Sequence, residues 1–304
     1  MGSIGTHLNT FHDASGLVTV SIFSHRGSPP QQHWIDEEIL VADGDMVAVG
    51  GGGTGTDYPS GGLLTASYPN DDLSGWVVSS KDHDVPDPHE LITYVIGMKI
   101  NGMSRQQLRD SIYISQDDSG VAPHPEAETG VPSDDFVLIG GGFRVDWHGN
   151  GNLGTASFPS TEFSWKARSK DHNVSDPSNL RVFAICIKRN LPVGSVTVSI
   201  TKAESGQAPH PAAVATVSPG FALVGGGAEV HWKGNGNLLW KLEPSTTLDQ
   251  SFSAASKDHE VSDPSTITAY AMGIRIESSI IRQSFTGRRF IGQLNRINSS
   301  ITQK

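Results

Sequence analysis

Ser80-Lys81-Asp82-His83-Asp84-Val85-Pro86-Asp87-Pro88 is one of three matching stretches in this chain. It returns as Ser169-Lys170-Asp171-His172-Asn173-Val174-Ser175-Asp176-Pro177 and as Ser256-Lys257-Asp258-His259-Glu260-Val261-Ser262-Asp263-Pro264. Lys-Asp-His, the Val and the Asp-Pro are the same in each copy. Copies about 85 to 90 residues apart indicate an internally triplicated chain, and that periodicity sets the fold expectation. The reading is an N-terminal arm over residues 1–16, repeats over 17–104, 105–191 and 192–276, and a basic tail over 277–304.

Each repeat opens on an alternating segment: Leu17 to Phe23, Ser111 to Ser115, and Ser195 to Ile200. Period-two alternation reads as a strand with one buried face. A proline loop follows, with Pro123-His124-Pro125 and Pro209-His210-Pro211 in the later copies, and Pro29-Pro30 with a displaced His33 in the first. Next come apolar runs ending in glycine: Met46 to Gly53, Phe136 to Gly142 and Phe221 to Gly227. These read as fully buried strands whose glycines mark a bulge or a close backbone approach. No Gly-Lys-Ser/Thr follows, so a phosphate-cradling loop is not indicated. An aromatic and asparagine-glycine loop comes after them, then strands holding Trp76, Trp165 or Phe252 that run into Lys-Asp-His. A last apolar strand closes each repeat, giving about six strands and no long helix; Ser104 to Asp110 suits one helical turn.

The 34 glycines and a charged fraction of 18% suit short strands and tight turns. The net charge of −10 argues against nucleic acid or an anionic membrane as the main partner. The single cysteine, Cys186, lies in the apolar run Val182 to Ile187 and is expected to be buried and inert. Residues 1–10 lack the apolar core of a signal peptide, and no apolar run approaches bilayer length. The expectation is a soluble protein, cytoplasmic or released by a leaderless route. The tail carries Arg282, Arg288, Arg289, Arg296 and Lys304 and is expected to pack on the acidic body, with self-association or a partner anchor as the alternative.

Six short strands in about 85 residues make a small antiparallel sandwich. The expected fold is all-β, with three such sandwiches packed in pseudo-threefold symmetry and a three-sheet prism as the rival. In size and strand count the unit resembles the H-type lectin domain, a six-stranded sandwich that assembles as trimers. The resemblance is one of architecture, and no binding residue is carried over from it.

Two stretches carry candidate chemistry. The Lys-Asp-His loops offer Lys81, Asp82, His83, Lys170, Asp171, His172, Lys257, Asp258 and His259. Asp82, Asp84 and Asp87 are weak candidates for calcium, since the spacing lacks the glycine and terminal Glu of a calcium loop. A three-histidine metal site from His83, His172 and His259 is a further option. The structural alternative has the Asp binding turn amides, the Lys pairing with it and the His filling a polar notch. Ser80, Ser169 and Ser256 beside Lys, Asp and His admit a hydrolase reading.

The aromatic loops are the other candidate, because a flat ring stacks on a sugar's apolar face while amides and imidazoles bond hydroxyls. One set is Asp146, Trp147, His148, Asn150 and Asn152; another is His231, Trp232, Lys233, Asn235 and Asn237. The first copy has Asp57 and Tyr58 and should be weaker. The alternative places each Trp in a hairpin core. The sequence therefore points to a non-catalytic, lectin-like protein with three pseudo-equivalent sites for a glycan or glycoprotein and no cofactor. A structural or adhesion protein and an enzyme are the second and third readings.

Overall fold

The fold is described from a computed structural model, which covers residues 2–58 and 60–278. The basic tail expected to pack on the body or to self-associate lies outside the described residues from 279 onward.

The described residues are all-β with one short helix. Two strands precede the repeats, β1 (Ser3–Ile4) and β2 (Thr6–His12). The first stretch holds β3 (Val18–Arg26), β4 (His33–Leu40), β5 (Val47–Thr54), β6 (Leu63–Pro69), β7 (Gly75–Lys81) and β8 (Ile92–Ile100). Helix α1 (Arg105–Arg109) follows, opened by a Ser104–Gln107 capping box, where one helical turn was expected. The second stretch holds β9 (Ile112–Asp118), β10 (Glu126–Gly130), β11 (Phe136–Asp146), β12 (Asn152–Pro159), β13 (Ser164–Asp171) and β14 (Asn179–Lys188). After β15 (Asn190–Leu191), the third holds β16 (Gly194–Glu204), β17 (Ala212–Thr216), β18 (Ala222–Val230), β19 (Asn237–Pro244), β20 (Ser251–Asp258) and β21 (Ile267–Ser278).

These strands form three seven-stranded sheets, and each sheet draws on two repeats. The orders are β1-β4-β7-β6-β11-β14-β9, β10-β13-β12-β18-β21-β16-β15 and β17-β20-β19-β5-β8-β3-β2. The links between repeats are short antiparallel pairings: Arg144 opposite Ala66, Glu229 opposite Ala156, and Thr54 opposite Lys241. Self-contained sandwiches were expected; the sheets instead run from one repeat into the next. Pairing an edge strand of one repeat with that of another satisfies backbone groups that isolated sandwiches would leave open.

The glycine runs make this joining possible. A β-bulge interrupts each run, between Ala48 and Gly50, Leu138 and Gly140, and Leu223 and Gly225. Any side chain at Gly51, Gly141 or Gly226 would collide with Trp76, Trp165 or Phe252, all 1% exposed or less. The bulge and the close approach expected from the sequence are both present. The core is continuous across all three stretches, with a small separate cluster of Leu63, Leu153 and Leu238.

Residues 3–12, expected as a loose arm, are strands. β1 pairs in parallel with β4 in one sheet and β2 pairs with β3 in another. Buried Asp13 then accepts hydrogen bonds from the amides of Val18 (3.1 Å) and Ile276 (3.0 Å). No helix among the described residues is long and apolar enough to cross a membrane.

Candidate functional site

The Lys-Asp-His stretches begin at the ends of β7, β13 and β20 and turn inward. His83, His172 and His259 are 1–2% exposed and their ring centroids are 5.4 to 5.6 Å apart. Their contacts are cyclic. Nε2 of His83 donates to the His172 carbonyl at 2.7 Å, His172 to that of His259 at 2.7 Å, and His259 to that of His83 at 2.8 Å. Nδ1 of His83 lies 3.0 Å from the Asn150 carbonyl and Nδ1 of His172 3.0 Å from that of Asn235, so both nitrogens of these two rings face acceptors. The Nε2 atoms are engaged by these carbonyls and do not face one another as the three-histidine metal site considered above would need. Burial pushes the His172 and His259 imidazoles below their ordinary pKa.

Each motif lysine reaches into the loop of the next repeat. Lys81 Nζ donates to the carbonyls of Asp82 and Asn150, both at 2.6 Å. Lys170 donates to the Asn235 carbonyl, and Lys257 to those of Asp57 (2.8 Å) and Ser60. All three are 1–3% exposed, and burial lowers their pKa, that of Lys257 to about 8. The Trp147 ring lies 4.9 Å from Lys81 Nζ and the Trp232 ring 5.0 Å from Lys170 Nζ. Such cation–π contact fixes a half-buried indole against the junction. The two candidate stretches therefore meet: the motif of one repeat and the aromatic loop of the next build one composite junction.

The motif aspartates do not pair with the lysines. Asp82 accepts the Asp87 amide at 2.8 Å and lies 3.1 Å from His33 Nε2. Asp171 accepts the Asp176 amide and meets His124 at 3.2 Å; Asp258 accepts the Asp263 amide and meets His210 at 3.5 Å. His33 and His124 each stand edge-on to an indole, Trp147 and Trp232, at 5.5 Å. The second aspartates cap the aromatic loops, Asp87 at Ser60 and Gly61, Asp176 at Gly151 and Asp263 at Gly236. Asp84 lies 3.1 Å from both His83 Nε2 and the Asn150 amide. The carboxylates suggested for calcium are engaged in these contacts, and no group of His, Cys, Asp or Glu among the described residues is arranged to hold a metal ion.

The first junction also holds an open cleft of about 400 Å³, lined by Ile35, Asp36, Thr65, Ser79, Arg144, Asp146, Trp147 and His148. A β-bulge in β4 places Ile35 and Asp36 there, with Asp36 in the left-handed region (φ 52°) and its amide held by Ser79 Oγ at 2.9 Å. Arg144 donates to Asp146 at 3.1 Å and to the Tyr68 hydroxyl at 3.3 Å, and that hydroxyl donates to Asp36 at 3.2 Å. Burial and the Asp36 charge push Tyr68 up to about 12, so it remains a donor. Thr65 sits in the bulge of β6, 0% exposed, and its hydroxyl has no hydrogen-bond partner among the described residues. A buried hydroxyl without a partner is costly. Clefts of about 470 and 500 Å³ lie beside Phe163 and beside Lys99, away from the motif residues. Residue chemistry, not size, singles out the junction cleft.

The other expected site residues divide by depth. His148, Asn150, His231, Lys233 and Asn235 are exposed, as is Tyr58; Asp57 and Asp146 are half-buried. Asn152 and Asn237 are 0% exposed, and their amides tie the loops to the Pro123 (2.8 Å) and Pro209 (2.9 Å) carbonyls. Ser80, cast as a nucleophile in the enzyme reading, is buried and bonded to His89 at 2.7 Å. Sequence reading gave no role to His33, Asp36, Thr65, Ser79, Arg144 or His210. The proline-histidine loops were visible, yet nothing in one chain places them beside a motif 40 to 50 residues on. Known protein families include no model that matches this chain, and no curated protein matches it.

Proposed function

We propose that this is a non-catalytic, lectin-like carbohydrate-binding protein. Its three repeats are related by a pseudo-threefold axis through the histidine ring, and its ligand is a glycan or glycoprotein held at the repeat junctions. The observation that carries the reading is the first-junction cleft. It joins the indole of Trp147 to polar groups on Asp36, Arg144, Asp146 and His148. An aromatic wall suits a sugar's apolar face, and donors and acceptors from fixed strands suit its hydroxyls. The buried lysines and histidines hold the junction together, and the exposed loop residues face the ligand. Weak sites of this kind gain strength when several engage one surface.

A second reading, a structural or adhesion protein, draws support from the motif itself, whose lysine and histidine atoms spend their hydrogen bonds inside the chain. Titration with methyl glycosides of neutral hexoses and N-acetylhexosamines separates the two, read by calorimetry on the wild type and on Trp147→Ala. The lectin reading expects saturable binding that Trp147→Ala weakens at least about tenfold. Equal binding by both proteins would remove the site from this cleft.

A further inference from the structure

The three junctions are built on one plan with different side chains. Across the first sheet, Ser79, Ala66 and Arg144 stand side by side in register. Across the second, the same row reads Arg168, Ala156 and Glu229. Ser79 and Arg168 each precede the motif lysine by two positions, and Arg144 and Glu229 each precede the loop tryptophan by three. The small residue that leaves room in the first junction is thus an arginine in the second.

That arginine is held from both sides. Arg168 Nη1 is 2.6 Å from Glu229 and its Nε is 2.5 Å from Glu126, which stands next to it in register on β10. Lys166 adds contacts to Glu126 (3.0 Å) and Glu128 (3.1 Å). The guanidinium lies 5.8 Å from the Phe158 ring, as that of Arg144 lies 5.8 Å from the Tyr68 ring. Beyond the ion cluster the aromatic wall is present, Trp232 over Lys170 with His124 at its edge, while His231 and Lys233 stand where the first junction has Asp146 and His148, and Phe158 where it has Tyr68.

We propose that the second junction is a closed copy of the first-junction cleft, shut by the Arg168 side chain, so that of these two junctions one is open to glycan and the other latent. This rests on the lectin reading. Arg168 is then the residue that sets valency, and agglutination through these two junctions would need more than one chain.

The test exchanges the row. Arg168→Ser with Glu229→Arg rebuilds the first-junction pattern without stranding a half-buried glutamate. Combined with Trp147→Ala, which disables the first cleft, the triple variant is titrated with the same methyl glycosides. Binding should return with a Kd within about tenfold of the wild type, and a further Trp232→Ala should abolish it. A triple variant that melts like Trp147→Ala yet binds nothing, while the wild type binds, would overturn the proposal and leave the lectin reading standing. A wild type that binds no glycoside overturns both. Should the triple variant fail to fold, Ser79→Arg in the wild type asks the same question from the other side. Ser79→Arg should bind at least about tenfold more weakly than Ser79→Ala, which loses the same Oγ contact to the Asp36 amide, and binding equal to that of Ser79→Ala would refute the closure.

Discussion

Replacing His172 with Ala tests the histidine ring as the element that joins the repeats. The imidazole is 1% exposed, packs against two other imidazoles and donates to the His259 carbonyl at 2.7 Å. That carbonyl also accepts the Val261 amide at 2.6 Å, so the substitution does not strand it. The lost hydrogen bond is then worth about 1 kcal/mol, the net value for a satisfied network. Emptying the ring's volume in a tightly packed site adds about 2–4 kcal/mol. The sum is about 3–5 kcal/mol. A domain of this size unfolds with an entropy of about 0.6 kcal/mol/K, so the melting temperature should fall by about 5–8 °C. Scanning calorimetry of His83→Ala, His172→Ala and His259→Ala gives the comparison, and similar losses are expected because the three rings make the same contact in turn. Shifts under about 1 °C in all three would refute the reasoning, since the ring would then not be coupled to global unfolding.

Further predictions follow from the same contacts. His172 and His259 titrate below their ordinary pKa when folded, so the unfolded chain binds their protons first as pH falls. Their contribution is constant above the unfolded value of about 6.5 and is lost below it, so the urea midpoint should drop between pH 7 and pH 5.5, less so in His172→Ala. Asp82→Ala strands the Asp87 amide and should cost about 1–3 kcal/mol in urea unfolding. An unchanged midpoint would assign that carboxylate a role outside the fold. Burial pushes the Cys186 thiol up to about 12, so it should react with maleimide only when the chain is unfolded.

The parts of the fold visible in sequence were those written by short-range pattern. Alternation and apolar runs marked strands such as Val18–Arg26 and Ala222–Val230, and Ser104 with Gln107 marked the helical turn. Pairing between repeats was not visible. It depends on two-residue contacts such as Arg144 with Ala66, 78 positions apart, and no local pattern encodes such a register. Thr6–His12 escaped notice because an edge strand with polar side chains lacks the alternation of a half-buried one. In the site, the sequence supplied both candidate stretches but presented them as alternatives. Lys81 with Trp147 and Lys170 with Trp232 make them one junction. The contrast between Ser79 and Arg168 was equally invisible, since its meaning comes from Glu126 and Glu229 on neighbouring strands.

Glycan recognition at the repeat junctions is open to a direct test, a glycan array probed with the purified protein with and without EDTA. Hits that survive EDTA are expected, because Asp82, Asp87 and Asp84 are engaged in contacts within the chain. Hits lost in EDTA would assign the acidic loops a cation and contradict the cleft mechanism. An empty array at high protein concentration would contradict the lectin reading itself.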